Sequence, residues 1–244
     1  MTAPNDPAHT NRLLGMLSDR SERTFMASGD CVDLEFAAVL CTSGKPITHI
    51  YFPLDSFISL VTTLDDGERL EVGIVGDEGM LGISLVLGVA IAPQDAIVQG
   101  SGTALRMNAA VFLGCCKRNP LLRQVLNRYA CVLMSQLAQT AACTHYHVVE
   151  ARLARWLLAT RDRARSNRFH LTHKFLAYML GVRRVGITHA AGELHKRGLI
   201  NYSRGEIVVL DGPGLERASC GCYRQGKNTY ARALPSSRRA ARHA

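Results

Sequence analysis

The feature that most constrains this chain is a change of hydrophobic period at Asn119-Pro120. Before it, apolar residues come in short alternating runs broken by glycine; after it, they recur every three or four residues. A period of two belongs to strands and a period of 3.6 to helices, so a β-rich half must be joined to a helical half. The 244 residues give length for one large core or two ordinary ones.

From Cys31 to Met107 the pattern predicts strands. His49–Pro53 and Ser56–Thr63 are rich in β-branched and aromatic residues. Asp65-Asp66-Gly67 then supplies a hairpin turn, because glycine accepts the positive φ such turns require. Glu68–Val75 returns as the next strand, and Ile97-Val98 and Thr103–Met107 add short ones. Short strands with glycine punctuation predict a small barrel or roll over residues 12–114, an antiparallel β-roll of jelly-roll type being the expectation.

Pro120 suits the first position of a helix. Leu122, Leu126, Tyr129, Leu133, Leu137 and Thr140 then draw one stripe along a long helix within residues 115–147. Such a stripe can pack on the β domain of its own chain or form the seam of a two-stranded dimer; the dimer is the expectation. A second helix is predicted from about Val148 to Arg163, with Leu153, Trp156 and Leu157 inward. Arg152, Arg155, Arg161, Arg163, Arg165 and Arg168 are read as its solvated face. The last stretch, 223–244, is basic and rich in small residues and is expected to be a disordered tail.

Charge divides as sharply as period. Residues 1–114 hold 6 Lys/Arg against 14 Asp/Glu, whereas residues 115–244 hold 23 against 6. A polyanion would therefore meet the C-terminal half. The longest apolar stretch, Gly79 to Ala92, is too short and too glycine-rich to span a bilayer, so no membrane partner is expected. The start, Met1 to Pro7, is polar and does not read as an export signal, which implies the cytoplasm and reduced thiols.

The stretch Leu171–Ile200, within a predicted domain of residues 148–222, carries the functional reading. Thr172 can cap a helix that buries Leu176, Ala177 and Leu180, and Gly181 can end it in the left-handed conformation. Val182 fills the corner before a second helix whose buried side is Ile187, Ala190, Ala191 and Leu194. The opposite face offers Arg183, Arg184, Thr188 and His189. Arginine there can bond both O6 and N7 of guanine in a major groove. Residues 198–202 and 206–210 follow as a two-stranded wing with Arg204 at its tip. Two helices around a glycine turn are common; a cap, a small crossing residue, the glycine, a buried isoleucine and a hairpin in this order point to a winged helix-turn-helix that binds double-stranded DNA.

Leu171–Leu210 resembles the winged helix-turn-helix of the Crp/Fnr family of bacterial regulators. The likeness extends over most of the chain. Tyr51-Phe52-Pro53, the Asp66-Gly67 turn and Val72–Gly82 are similar to that family's cyclic-nucleotide-binding-like β-roll, and the 120–145 helix sits where the family has its dimerisation helix. The resemblance implies an α+β homodimer in which a sensor domain governs binding to palindromic promoter DNA. RNA polymerase and a small-molecule or redox effector are the further expected partners. By position, Arg184 matches an arginine the family uses for base contact; Val185 and His189 fall at two further base-reading positions but differ from the Glu and Arg of the best-known members.

Family members that bind cyclic nucleotides carry Gly-Glu-x-Gly and a later Arg-Ser/Thr. Here the corresponding segments read Gly79-Met80-Leu81-Gly82 and Pro93-Gln94-Asp95-Ala96, so ordinary cyclic AMP or cyclic GMP binding is not expected. Cys31 and Cys41 have no third cysteine nearby for an iron–sulfur cluster. No CxxC pair exists. Cys143, His145 and His147 form a Cys-x-His-x-His group at a helix junction where the side chains are expected to point apart. Cys115-Cys116 and Cys220-Gly-Cys222 are read as unreactive thiols. No metal and no cofactor are therefore expected. An enzyme carrying a helix-turn-helix would need a catalytic constellation, and His49 stands alone in the β half. A protein-interaction module would have no need of the basic half or the paired arginines.

Overall fold

The structure, a computed structural model, describes residues 11–235. The polar start and the end of the basic tail, residues 236–244, lie outside the described residues. The chain forms two compact units. Of the described residues, one comprises 11–60, 74–134 and 230–235; the other comprises 61–73 and 135–229.

In the first unit, helix α1 (Asp19–Met26) is capped by Ser18, whose hydroxyl accepts the Ser21 N–H. Strands β1 (Asp30–Leu34), β2 (Val39–Cys41), β3 (His49–Pro53), β4 (Phe57–Thr63), β5 (Arg69–Val75), β6 (Asp95–Gly100) and β7 (Gly102–Asn108) follow, with the end of β4, the turn after it and most of β5 (residues 61–73) belonging to the second unit. They form two antiparallel sheets, β1-β7-β3 and β2-β6-β4-β5. The β4–β5 turn closes as its sequence requires: Gly67 has φ 83°, and its N–H bonds the Leu64 carbonyl at 2.9 Å. Helix α2 (Ala109–Arg118) leaves β7 under an Asn108 cap. Phe25, Phe52 and Phe112, from α1, β3 and α2, meet edge to face at 5.5–6.4 Å and anchor the core.

Helix α3 (Pro120–Tyr146) starts at the predicted proline, but its stripe is used differently from expectation. Leu122, Leu126, Tyr129 and Leu133 are buried within this chain, with the Tyr129 hydroxyl donating to the Met80 carbonyl. They belong to the fold of the protomer and are not free to form a seam. A second line, Cys131, Met134, Ala138 and Ala141, is exposed at three- and four-residue spacing.

The second unit is built on α4 (Val149–Ala164), α5 (His173–Leu180) and α6 (Arg184–Lys196). Strand β8 (Arg168–His170) joins β9 (Ile200–Ser203) and β10 (Glu206–Val209) in the order β8-β10-β9, so the wing has a third strand that the sequence did not announce. Helices α7 (Gly212–Ala218) and α8 (Cys222–Ala233) complete the described chain. The expected disorder from 223 is thus corrected as far as 233. Tyr223 and Tyr230 stand two helical turns apart: Tyr223 donates to Asp162 at 2.7 Å, and Tyr230 bonds the Glu78 carbonyl within the first unit. One buried and one half-buried tyrosine, each with a hydrogen-bond partner, suffice to order a short basic helix.

Arg152 departs from its reading as a solvated residue. It is 6% exposed, and its guanidinium donates to the Leu180 carbonyl at the end of α5. A cation there satisfies a carbonyl that the helix leaves orphaned and meets the negative end of its dipole. Arg152→Met keeps most of the aliphatic stem but strips that carbonyl of its donor. We expect a loss of about 1–3 kcal/mol in denaturant-induced unfolding at unchanged m value. No change in midpoint would mean that water replaces the guanidinium.

Candidate nucleic-acid interface

The α5–α6 corner forms as its sequence dictates. Thr172 Oγ1 accepts the Phe175 N–H at 3.1 Å and fixes the start of α5. Gly181 ends it at φ 58°, and the Val182 N–H returns to the Ala177 carbonyl at 3.0 Å. A Cβ on Gly181 would stand 3.0 Å from Leu70 at the β4–β5 tip, in addition to the strain of positive φ. Ile187, Ala190, Ala191 and Leu194 are buried, which fixes the roll of α6 about its axis.

That roll leaves a defined face outward. Arg183, Arg184, Val185, Thr188 and His189 are all exposed, Val185 at 79%. Arg184 and Thr188, and likewise Val185 and His189, are four residues apart and form two adjacent rows. At the wing tip, Arg204 (φ 50°) and Gly205 (φ 81°) form the two left-handed positions of a tight turn. Leu171 N–H bonds the Gly205 carbonyl at 2.7 Å, which holds that tip beside the start of α5. Arg183, Arg184 and Arg204 make no ion pair among the described residues, whereas Arg168 pairs with Glu206 and Arg197 with Glu150. The structure thus gathers every predicted contact residue around one corner. Thr172 has its oxygen committed to the cap.

One residue of this corner was missed. His173 stacks on Tyr202 of β9, with ring centroids 4.2 Å apart and planes 15° off parallel, and its Nδ1 lies 3.0 Å from Thr188 Oγ1. It therefore links wing and outward helix. Its only sequence signal is adjacency to the Thr172 cap, because the stacking partner is far along the chain.

The segments singled out in the sequence as differing from a nucleotide-binding turn have the following surroundings. Met80 is 1% exposed, and Leu81 is buried. A Cβ on Gly79 would collide with the Tyr129 ring, and Gly82 sits at φ 93° against Ile50. Asp95 accepts the Ser43 N–H at 2.9 Å. His49, the lone histidine of the β half, pairs with the neighbouring Thr48 at 3.1 Å.

The cysteines also differ from expectation. His145 meets the Tyr146 ring edge to face and is not part of the group, but Cys143 and His147 meet Cys220 and Cys222. Cys143 Sγ lies 3.5 Å from Cys220 Sγ. Hydrogen bonding between the two raises the Cys143 thiol and lowers that of Cys220 from the ordinary range. The available signal was the i, i+4 spacing of Cys143 and His147, which puts both on one side of a helix.

Burial, then the Arg184 charge, lowers the His173 pKa, so the folded chain takes up this proton less readily than the unfolded one. An unfolded histidine titrates near about 6.5; above that value His173 imposes no penalty, and stability is lost as pH falls from there toward the depressed folded value. His173→Phe keeps the stack and removes the proton. Its unfolding midpoint should fall less than that of the wild type between pH about 7 and 5. An equal or larger fall in the variant would show that His173 is not the titrating group.

Among the described residues, no helix is long and apolar enough to cross a membrane. Residues 31–119 match the family model of the cyclic nucleotide-binding domain, and residues 151–218 match that of the Crp-like helix-turn-helix domain. No curated protein sequence matches the chain. Among solved structures, a Crp/Fnr-family transcriptional regulator from Eubacterium rectale is similar at 17% identity and TM-score 0.67, over 84% of this chain and 96% of that one. FixK2 from Bradyrhizobium japonicum is similar at 13% and 0.67, over 79% and 98%. The c-di-GMP-responsive global regulator CLP from Xanthomonas campestris is similar at 13% and 0.66, over 79% and 99%. At these identities the structures speak for the fold, and the two domain models in this order speak for the lineage: the chain belongs to the Crp/Fnr family of transcription regulators.

Proposed function

We propose that this protein is a homodimeric, sequence-specific DNA-binding regulator whose α6 enters the major groove. The observation that carries the reading is the outward face of α6: Arg183, Arg184, Val185, Thr188 and His189 lie exposed on one surface, beside the wing-tip Arg204, which makes no ion pair among the described residues. Its N-terminus adds the positive end of the helix dipole and contains no acidic residue in the first turn. In this reading Arg184, with Val185 and His189, reads base edges. Arg183 and Arg204 hold phosphates, Thr188 lines the same face with its hydroxyl on the Arg184 carbonyl, and Thr172 sets the start of α5 against the backbone. The line Cys131, Met134, Ala138 and Ala141 of α3 forms the dimer seam, with the helical period a two-stranded contact needs. Two copies would place their α6 helices in half-sites about one helical turn, roughly 34 Å, apart.

The effector of this regulator is not a cyclic nucleotide held in the usual way. Met80 occupies the buried position where a glutamate would hold a ribose, and Asp95 adds negative charge where a phosphate would sit. Calorimetric titration of the full chain with cyclic AMP or cyclic GMP should give no saturable heat at submillimolar ligand. Submillimolar affinity for either would overturn this.

Selection of random duplex DNA against the full chain at near-physiological salt should enrich a palindrome. Arg184→Ala should cost about 1–3 kcal/mol and relax one position per half-site, whereas Arg204→Ala should weaken all sequences alike and reduce the salt slope by about 1. An enriched site without two-fold symmetry would overturn the dimer. A uniform loss for Arg184→Ala would make that residue a phosphate contact.

A further inference from the structure

Three thiols and one imidazole converge in the second unit, away from the α6 face. Cys143 lies in the last turn of α3, and the His147 N–H bonds its carbonyl at 3.1 Å, so the helical path continues far enough to set both side chains on one side. Cys220 and Cys222 bracket Gly221 where α7 gives way to α8. All three cysteines are buried and pack with Ala151 of α4. The distances are those of a coordination shell: Cys143 Sγ to Cys220 Sγ is 3.5 Å, Cys222 Sγ to His147 Nδ1 is 3.6 Å, and all four donor atoms lie within 4.8 Å of one another. A zinc ion about 2.3 Å from each sulfur and about 2.0–2.1 Å from the nitrogen gives tetrahedral edges of about 3.8 Å between sulfurs and about 3.6 Å from sulfur to nitrogen.

We propose that Cys143, His147, Cys220 and Cys222 bind a divalent cation of borderline softness, zinc above all, in a closed tetrahedral site. Three sulfurs and one imidazole are a donor set for zinc rather than for magnesium or calcium. Four protein ligands leave no open position, so the site is structural: it ties the end of α3 to the α7–α8 corner beside α4. Binding replaces the thiol protons, releasing up to three protons for each cation bound. The surroundings suit the resulting negative charge. Gln139 Nε2 donates to Cys222 Sγ at 3.0 Å. The Arg155 charge acts on both Cys143 and Cys220, and its buried Nε has no hydrogen-bond partner among the described residues. Such outer donors orient metal ligands and tune their basicity. A Cys143–Cys220 disulfide would use two of the four groups and leave Cys222 and His147 without a role.

The test is the metal content of the full chain, purified without chelator and measured by plasma mass spectrometry, together with cobalt titration of the demetallated protein. We expect about one zinc per chain and, with cobalt, thiolate charge-transfer bands and the visible bands of a tetrahedral ion. Cys143→Ser and Cys222→Ser should lose the metal, and Cys31→Ser and Cys131→Ser should keep it. Gln139→Ala should fold and bind zinc about 10–100-fold more weakly. A wild-type chain that takes up neither zinc nor cobalt, a cobalt spectrum of six-fold oxygen coordination, or equal metal loss in Cys31→Ser would each overturn the site. So would a Cys143–Cys220 disulfide in protein prepared without oxygen.

Discussion

Presentation of α6 depends on how α5 ends. A helix leaves its last carbonyls without partners, and at Leu180 that need is met by a buried arginine from α4. Gly181 turns the chain immediately afterwards, and the Val182 N–H closes the corner onto Ala177. The tip of the β4–β5 hairpin stands against the same corner: Leu70 faces Gly181, and Glu71 accepts the Trp156 indole N–H at 2.8 Å. Backbone geometry, a buried cation and a neighbouring hairpin thus fix one angle between two short helices. Rearranging α6 would require breaking several satisfied buried groups together, so its exposed face is held as a rigid unit.

What was legible in the sequence is what local chemistry decides. Thr172, Gly181 and Gly67 each answer to a conformational requirement a few residues wide, and each adopts the expected state. The buried side of α6 followed from its period, and with it the exposed candidates. The unread parts depend on contacts between distant segments. Arg152 has the composition of a surface residue and lies in the core because a carbonyl 28 residues away needs a donor. His173 and Tyr202 meet only because the wing folds back over α5. The four metal-type ligands come in two pairs, neither with the spacing of a familiar motif, and the fold alone joins them.

Helix α3 shows why an apolar stripe names a face and not its partner. The large residues Leu122, Leu126, Tyr129 and Leu133 are spent inside the protomer, where a β domain offers a wide apolar surface. The other line is smaller and softer, with Cys131, Met134, Ala138 and Ala141 exposed. Small residues let two helix backbones approach closely, and methionine fills irregular gaps. One helix can therefore bury one face in its own protomer and keep another outward, and the burial of the first decides which residues remain exposed.

The segment around Gly79–Gly82 separates the shape of a binding turn from its chemistry. Gly79 is required because any side chain would enter the Tyr129 ring, and Gly82 because its φ of 93° against Ile50 excludes a Cβ. Asn11 donates to the Pro53 and Gly79 carbonyls at 2.9 Å, and Arg12 pairs with Asp77 at 3.1 Å, so the chain is held on both sides. Packing within the roll is enough to demand this backbone, with no nucleotide needed to explain either glycine. The charged groups that would engage a ribose or a phosphate answer to no such packing demand, and at these positions the chain carries Met80 and Asp95 instead. A turn can keep its form while its ligand chemistry differs, so family membership fixes the architecture of the sensor half and leaves its signal to be set by the side chains.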